Sequence, residues 1–104
     1  MIEYNINVSD EGNSDKIYVL IIYDIVDNKR RNSLVRFLEG YGYRVQKSCF
    51  EALLQKKAFN KMKADIKQYA TEEDSIRIYK IHGMSQVICY GSSVVIEPKD
   101  VIVI

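Results

Sequence analysis

Apolar and polar residues alternate from the start of the chain, with Ile2, Tyr4, Ile6 and Val8 separated by Glu3, Asn5 and Asn7. A period of two predicts a half-buried strand, or an arm that pairs elsewhere. The polar stretch "SDEGNSD" (9–15) reads as a loop. Then "KIYVLIIYD" (16–24) is β-branched, aromatic and almost continuously apolar. Such a run suits a central strand covered on both faces. After it the period changes. Leu34, Val35, Leu38 and Tyr41 recur at helical spacing, with Arg30, Arg31 and Glu39 off that stripe. Asp27 or Asn28 suits the N-cap, and Gly40 or Gly42 suits a left-handed C-cap.

"YRVQKSCFEALLQ" (43–55) favours extended chain, as two short strands or one bent one. A second helix is predicted over about 57–70, with Ala58, Met62, Ile66 and Tyr69 on one face. "TEED" (71–74) is a loop, and "SIRIYKI" (75–81) is a strand. Gly83 marks a turn, and "SQVICYG" (85–91) and "SVVIEPKDVIVI" (93–104) read as further strands, Pro98 breaking the last. The order β-α-β-β-α-β with an added C-terminal strand is the split βαβ arrangement. The fold class is therefore α+β: a ferredoxin-like βαββαβ sandwich with two helices on one face of an antiparallel sheet. The expected organisation is an N-terminal arm (1–16), one domain (17–91) and a C-terminal strand segment (92–104). The apolar end "DVIVI" would be an aggregation hazard if uncovered, so it is expected to pair with a sheet edge, that of a second subunit included.

Composition narrows the class. With 104 residues, 47% of them hydrophobic, the chain can build one real core. No apolar run approaches the roughly 20 residues of a membrane span. The opening residues lack the layout of a signal peptide. A soluble cytoplasmic protein is expected. Cys49 and Cys89 have no second cysteine near either, which is neither a zinc pattern nor a redox pair. His82 is the only histidine, which disfavours a zinc site or a Ser-His-Asp triad. The formal net charge is +1, but from Lys29 to Lys67 there are 11 Lys and Arg against only Glu39, Glu51 and Asp65. A nearly neutral chain with a basic middle can bind phosphate on one face, although lysines at 56–67 equally suit a solvated helix surface.

Asp24 ends the most apolar strand. A carboxylate there is open to ligands yet anchored on a rigid element. It is equally a turn residue accepting backbone N–H bonds, and the residues alone do not separate the two. Asp27 reads more simply as a helix cap. One aspartate is a poor magnesium site, because Mg²⁺ takes oxygen ligands and usually one or two carboxylates. Two copies of Asp24 in a symmetric dimer would share one ion without needing a histidine. Arg30, Arg31, Arg44 and Lys47 are candidate phosphate contacts. Arg30 and Arg31 fall in the first turn of a helix, an unfavourable end for cations. Asp24, Asp27 or a bound phosphate would offset that cost. An Arg31–aspartate ion pair is the structural alternative. Tyr23, Tyr41 and Phe50 can stack on bases, but their strand and helix positions favour core packing.

The ordered set Tyr23-Asp24, Arg30-Arg31 and Arg44, Gln46, Ser48, Phe50, within "VLIIYDIVDNKRRNSLVRFLEGYGYRVQKSCFE", resembles the CRISPR-associated Cas-two family. "EEDSIRIYKI" and "CYG" are similar to that family's later strands, so the likeness spans about residues 17–91. The resemblance implies a ferredoxin-like homodimer whose C-terminal strands cross to the partner, acting in spacer acquisition with the Cas-one integrase. It implies Asp24 as the Mg²⁺ ligand and catalytic carboxylate, and Arg31 and Arg44 as nucleic-acid contacts, with Phe50 in the same motif. It implies either a metal-dependent endonuclease on single-stranded RNA or double-stranded DNA, or a non-catalytic bridge. The implied location is the prokaryotic cytoplasm. Two departures stand out: the chain has an arm ahead of its first motif strand, and Cys49 where the family commonly carries valine. The virulence-associated protein D ribonuclease toxins resemble the same fold, but the Arg-x-Gln-x-Ser-x-Phe segment favours the CRISPR family. A ferredoxin-like dimerisation module that binds no nucleic acid is the remaining reading.

Overall fold

Lys16–Asp24 forms the strand on which the rest of the chain is arranged. In the computed structural model, which describes residues 3–5, 16–81, 88–91 and 99, the elements run as follows. Strand β1 is Glu3–Asn5, β2 is Lys16–Asp24, helix α1 is Asn28–Glu39, β3 is Tyr43–Gln46 and β4 is Cys49–Gln55. Helix α2, Lys56–Asp65, continues into a 3-10 turn over Ile66–Tyr69; β5 is Ser75–Ile81 and β6 is Ile88–Tyr90. The main sheet has the order β3-β4-β2-β5, with every neighbouring pair antiparallel. This is the split βαβ topology expected from the periodicity. The arm strand β1 pairs antiparallel with β6, Tyr4 opposite Cys89, in a separate two-stranded sheet. The expected loop at 9–15, the turn at Gly83 and, apart from Lys99, the exchanged strand over 93–104 lie outside the described residues.

Alternation along β2 sends Val19, Ile21 and Tyr23 to one face, where they are buried with Phe50, Ala52 and Leu54 of β4. Leu34 and Leu38 of α1 and Ala58, Phe59 and Met62 of α2 close that core. Each such large side chain contributes on the order of 1.5–3 kcal/mol when fully buried. Among the described residues no helix covers the opposite face. Ile22 there is 41% exposed and Tyr79 43%. That face is open only toward the Asp24 end: Tyr18 and Leu53, opposite each other nearer the start of β2, are 2% and 3% exposed, so the run is buried on both faces there, as its composition suggested.

The helix ends depart from expectation in an instructive way. Asp27 caps α1, its carboxylate accepting the Arg30 N–H at 2.9 Å. At the other end Gly40 is right-handed (φ −71°, ψ −17°), not left-handed. The carbonyls of Glu39 and Gly42 instead accept from Lys99 Nζ at 2.7 and 2.6 Å, and that ammonium also lies 4.3 Å from the centre of the Tyr43 ring. A cation at a helix C-terminus also suits the helix dipole. Gly42 is needed for space: a Cβ there would run into the Glu51 carbonyl oxygen and lie 2.7 Å from the Ala52 Cβ.

Candidate site at the carboxyl end of strand β2

Tyr23 and Ile25 are both buried, which locks the backbone on either side of Asp24. Alternation then puts Asp24 on the open face, and its side chain is exposed. It stands opposite Ser75 of β5. On the other flank lies the Lys47–Ser48 turn joining β3 to β4, where Tyr23 N–H donates to the Ser48 carbonyl at 3.1 Å. The sequence left Asp24 open between turn residue and ligand. Its carboxylate makes no hydrogen bond or ion pair to another described residue.

The turn is held by other aspartates. Asp27 caps α1, and Asp74 takes the rest. Asp74 accepts from the Val26 N–H at 2.9 Å, the Thr71 N–H at 2.8 Å and the Thr71 hydroxyl at 3.1 Å. Arg30 adds Nε at 3.1 Å and Nη2 at 2.9 Å, both to the same Asp74 oxygen. The Asp74 side chain has no solvent exposure. The backbone N–H groups of Val26 and Thr71, and then Arg30, hold its carboxyl well below the usual carboxylate range against the opposing effect of desolvation.

The basic candidates divide into two groups. Arg30, expected as a phosphate contact, has its guanidinium committed to Asp74 and Thr71. Arg31 does not pair with an aspartate. It donates to the Ile25 carbonyl through Nε (3.2 Å) and Nη2 (2.9 Å), and to Asn28 Oδ1 at 2.6 Å. The cost of two cations in the first turn of α1 is thus offset by Asp74 and by backbone carbonyls, not by Asp24. Arg44 is exposed and donates to the Lys47 carbonyl at 2.8 Å. The Tyr23 hydroxyl donates to that same carbonyl at 3.0 Å. These two bonds pin the β3–β4 turn beside Asp24 and leave the exposed Lys47 side chain at its tip.

Tyr23 and Phe50 are core residues, 2% and 0% exposed, with ring centroids 6.2 Å apart. They support the site from beneath and offer no face to a base in this chain. Burial pushes the Tyr23 phenol above its ordinary value, with the Arg44 charge opposing. One residue was missed by sequence reasoning. Asp74 sat in an acidic loop and gave no local sign of its partner.

Among the described residues no group of three His, Cys, Asp or Glu comes together. One chain offers a single free carboxylate here, too few for a self-contained metal site and compatible with one half of a shared one. Among the same residues no helix is long and apolar enough to cross a membrane.

Fold and site together define a small ferredoxin-like α+β protein with a bare carboxylate at the open end of its central strand. The family model for CRISPR associated protein Cas2 matches residues 17–87, and the chain belongs to that family. It is 47% identical over 89 residues to a CRISPR-associated endoribonuclease Cas2 of Mycobacterium tuberculosis strain H37Rv, covering 86% of this chain and 79% of the relative. Among solved structures, a hypothetical protein from Thermus thermophilus superimposes with a TM-score of 0.67 at 32% identity, over 79% of this chain and 99% of that one. A chain of a partial Cas6-RT-Cas1–Cas2 complex matches with a TM-score of 0.58 at 34% identity, over 66% and 77%. The protein is thereby placed among CRISPR-associated proteins.

Proposed function

We propose that this protein is a CRISPR adaptation subunit: a homodimer that binds nucleic acid largely through phosphate, assembles with a Cas1 integrase and hydrolyses phosphodiesters at paired Asp24 carboxylates. One observation carries the reading. Asp24 is held rigidly by two buried neighbours, makes no bond to another described residue, and shares an open face with exposed Ile22 and Tyr79. That apolar face suits a second copy, whose Asp24 would supply the carboxylate one chain lacks. The name of the mycobacterial relative supports endonuclease chemistry, and the complex containing Cas1 supports the integrase as partner.

Asp24 from each copy would hold a divalent cation, Mg²⁺ being the expected one. Such an ion, when bound, generates a nucleophilic water and neutralises charge on the scissile phosphate. Asp24 orients the site from a fixed strand end, and Lys47 with the outer edge of Arg44 lies where the backbone of a nucleic acid would pass. The lone carboxylate per chain also favours a second reading, in which the dimer holds DNA for the integrase and does not cut it.

The test is cleavage of end-labelled single-stranded RNA and of duplex DNA across a Mg²⁺ titration. Wild type should cleave one of them in a Mg²⁺-dependent manner, and Asp24→Asn should lose cleavage while retaining binding. Binding without Mg²⁺-stimulated cleavage would establish the holding role instead. No binding to either substrate at low salt would leave only a dimerisation module.

A further inference from the structure

Strand β5 ends the main sheet, and among the described residues its outer edge pairs with nothing. It is seven residues long, carries no proline and keeps an unbroken register with β2. A free edge of that kind is a template for an added strand. Beside it, on the helix-bearing side of the sheet, lies a groove of about 670 Å³. Ile66 of the 3-10 turn and Ile76 and Ile78 of β5 form its floor, and the exposed Lys63 of α2 and Lys67 of the 3-10 turn stand at its rim. Alternation along β5 puts Ile76 and Ile78 on the side opposite Tyr79, so the groove is clear of the open face given to a second copy.

The groove is basic where it is polar. Neither Lys63 nor Lys67 forms an ion pair among the described residues, whereas Lys61 on the same helix is taken by Asp65 at 3.0 Å. Lys80 of β5 joins them. The Lys63 and Lys80 ammoniums lie 5.6 and 5.0 Å from the centre of the Phe59 ring, so one ring gathers two like charges. A carboxylate placed between such charges relieves their repulsion. The isoleucine floor asks for apolar side chains as well, which a nucleic-acid backbone does not offer. An extended peptide meets all three features at once. Its backbone bonds to the β5 edge, and every second side chain turns to the helix side, where apolar ones fill the groove and acidic ones meet the lysines. Lys99, next to the apolar segment 100–104, is held at the opposite edge of the sheet beside Tyr43 of β3, which places the start of that segment away from β5.

We propose that the groove between α2 and β5 is a docking site for an acidic segment of a partner protein, which binds extended and adds as a strand to the β5 edge. The segment carries apolar side chains at two alternate positions, over Ile76 and Ile78. Carboxylates at the alternate positions on either side of these meet Lys63, Lys67 and Lys80. The site lies apart from Asp24 and does not depend on the reading of that residue.

The probe is a fluorescein-labelled peptide, Glu-Thr-Val-Thr-Val-Thr-Glu, which matches the seven residues of β5. Fluorescence anisotropy with the full chain should show saturable binding that weakens with salt, and hydrogen exchange at the β5 amides should slow when the peptide is bound. Lysine in place of both glutamates should weaken the peptide by about tenfold, and so should Lys63→Glu combined with Lys67→Glu in the protein. Ala64→Trp, at an exposed position lining the groove, should weaken binding by filling it. Arg36→Glu combined with Lys57→Glu, at exposed positions outside the groove, should bind as wild type does. All variants should melt as wild type does; should the Lys63 and Lys67 pair melt lower, Lys63→Gln with Lys67→Gln replaces it. No binding by wild type, equal binding of the lysine peptide, or wild-type binding by the Lys63 and Lys67 variant overturns the proposal. Binding that appears only once 100–104 is removed overturns it too, because the occupant is then this chain's own tail.

Discussion

Two aspartates at neighbouring strand ends have opposite fates. Asp74 immediately precedes β5 and Asp24 ends β2, next to each other across the ladder. Asp74 is fully enclosed and accepts from two backbone N–H groups, a hydroxyl and a guanidinium. Asp24 is open and accepts nothing from the described residues. The fold has used one carboxylate to tie the β2–α1 turn to β5, which is what frees the other. An aspartate after a strand is ambiguous while it is the only acceptor at hand. Once a second one satisfies the turn, the first is left to ligands.

The largest expected effect is on stability. Asp74→Ala strands the Val26 and Thr71 N–H groups and the Arg30 guanidinium, and should lower the melting temperature more than alanine at Asp24 or Asp27. Equal melting of Asp74→Ala and Asp24→Ala would erase the contrast. Acid should act through the same residue. The Asp74 carboxyl is depressed in the fold, so its contribution is whole above the ordinary aspartate value of 3.8 and is lost as pH falls through and below it. Wild-type stability should therefore drop on acidification below about pH 4, and Asp74→Asn should flatten that dependence in urea titrations. Asp27→Ala removes the α1 cap and should cost about 1 kcal/mol in a denaturant series. Asp24→Asn comes last, with a change within about 0.5 kcal/mol, because nothing in the described structure leans on it.

Much of this arrangement was legible in the sequence, and the gaps have physical causes. Strands 16–24 and 75–81 and the Asp27 cap follow from local pattern, so their bounds and the cap are as expected. The segment 43–55 left two strands and one bent strand open, because what divides it is a two-residue turn whose Lys47 carbonyl is held by Arg44 from within and by Tyr23 from a distant strand. Phe59 joins the core from beside the expected stripe of α2. The pairing of Arg30 with Asp74 spans 44 positions and depends on which strands are neighbours, which no local pattern encodes. The apolar run of β2 was read as doubly covered. That holds at Tyr18 and Leu53 but not at Ile22 and Tyr79, so an apolar pattern reports where water is to be excluded and not how far along the strand one chain excludes it.

The most direct test is a pair of readings on Asp24→Asn: its melting curve, and its cleavage of labelled RNA and duplex DNA in Mg²⁺ beside wild type. The account predicts an unchanged melting curve with cleavage lost. A variant that cleaves as wild type does, or one that melts well below it, would contradict the assignment of Asp24 as the carboxylate the fold leaves free for chemistry.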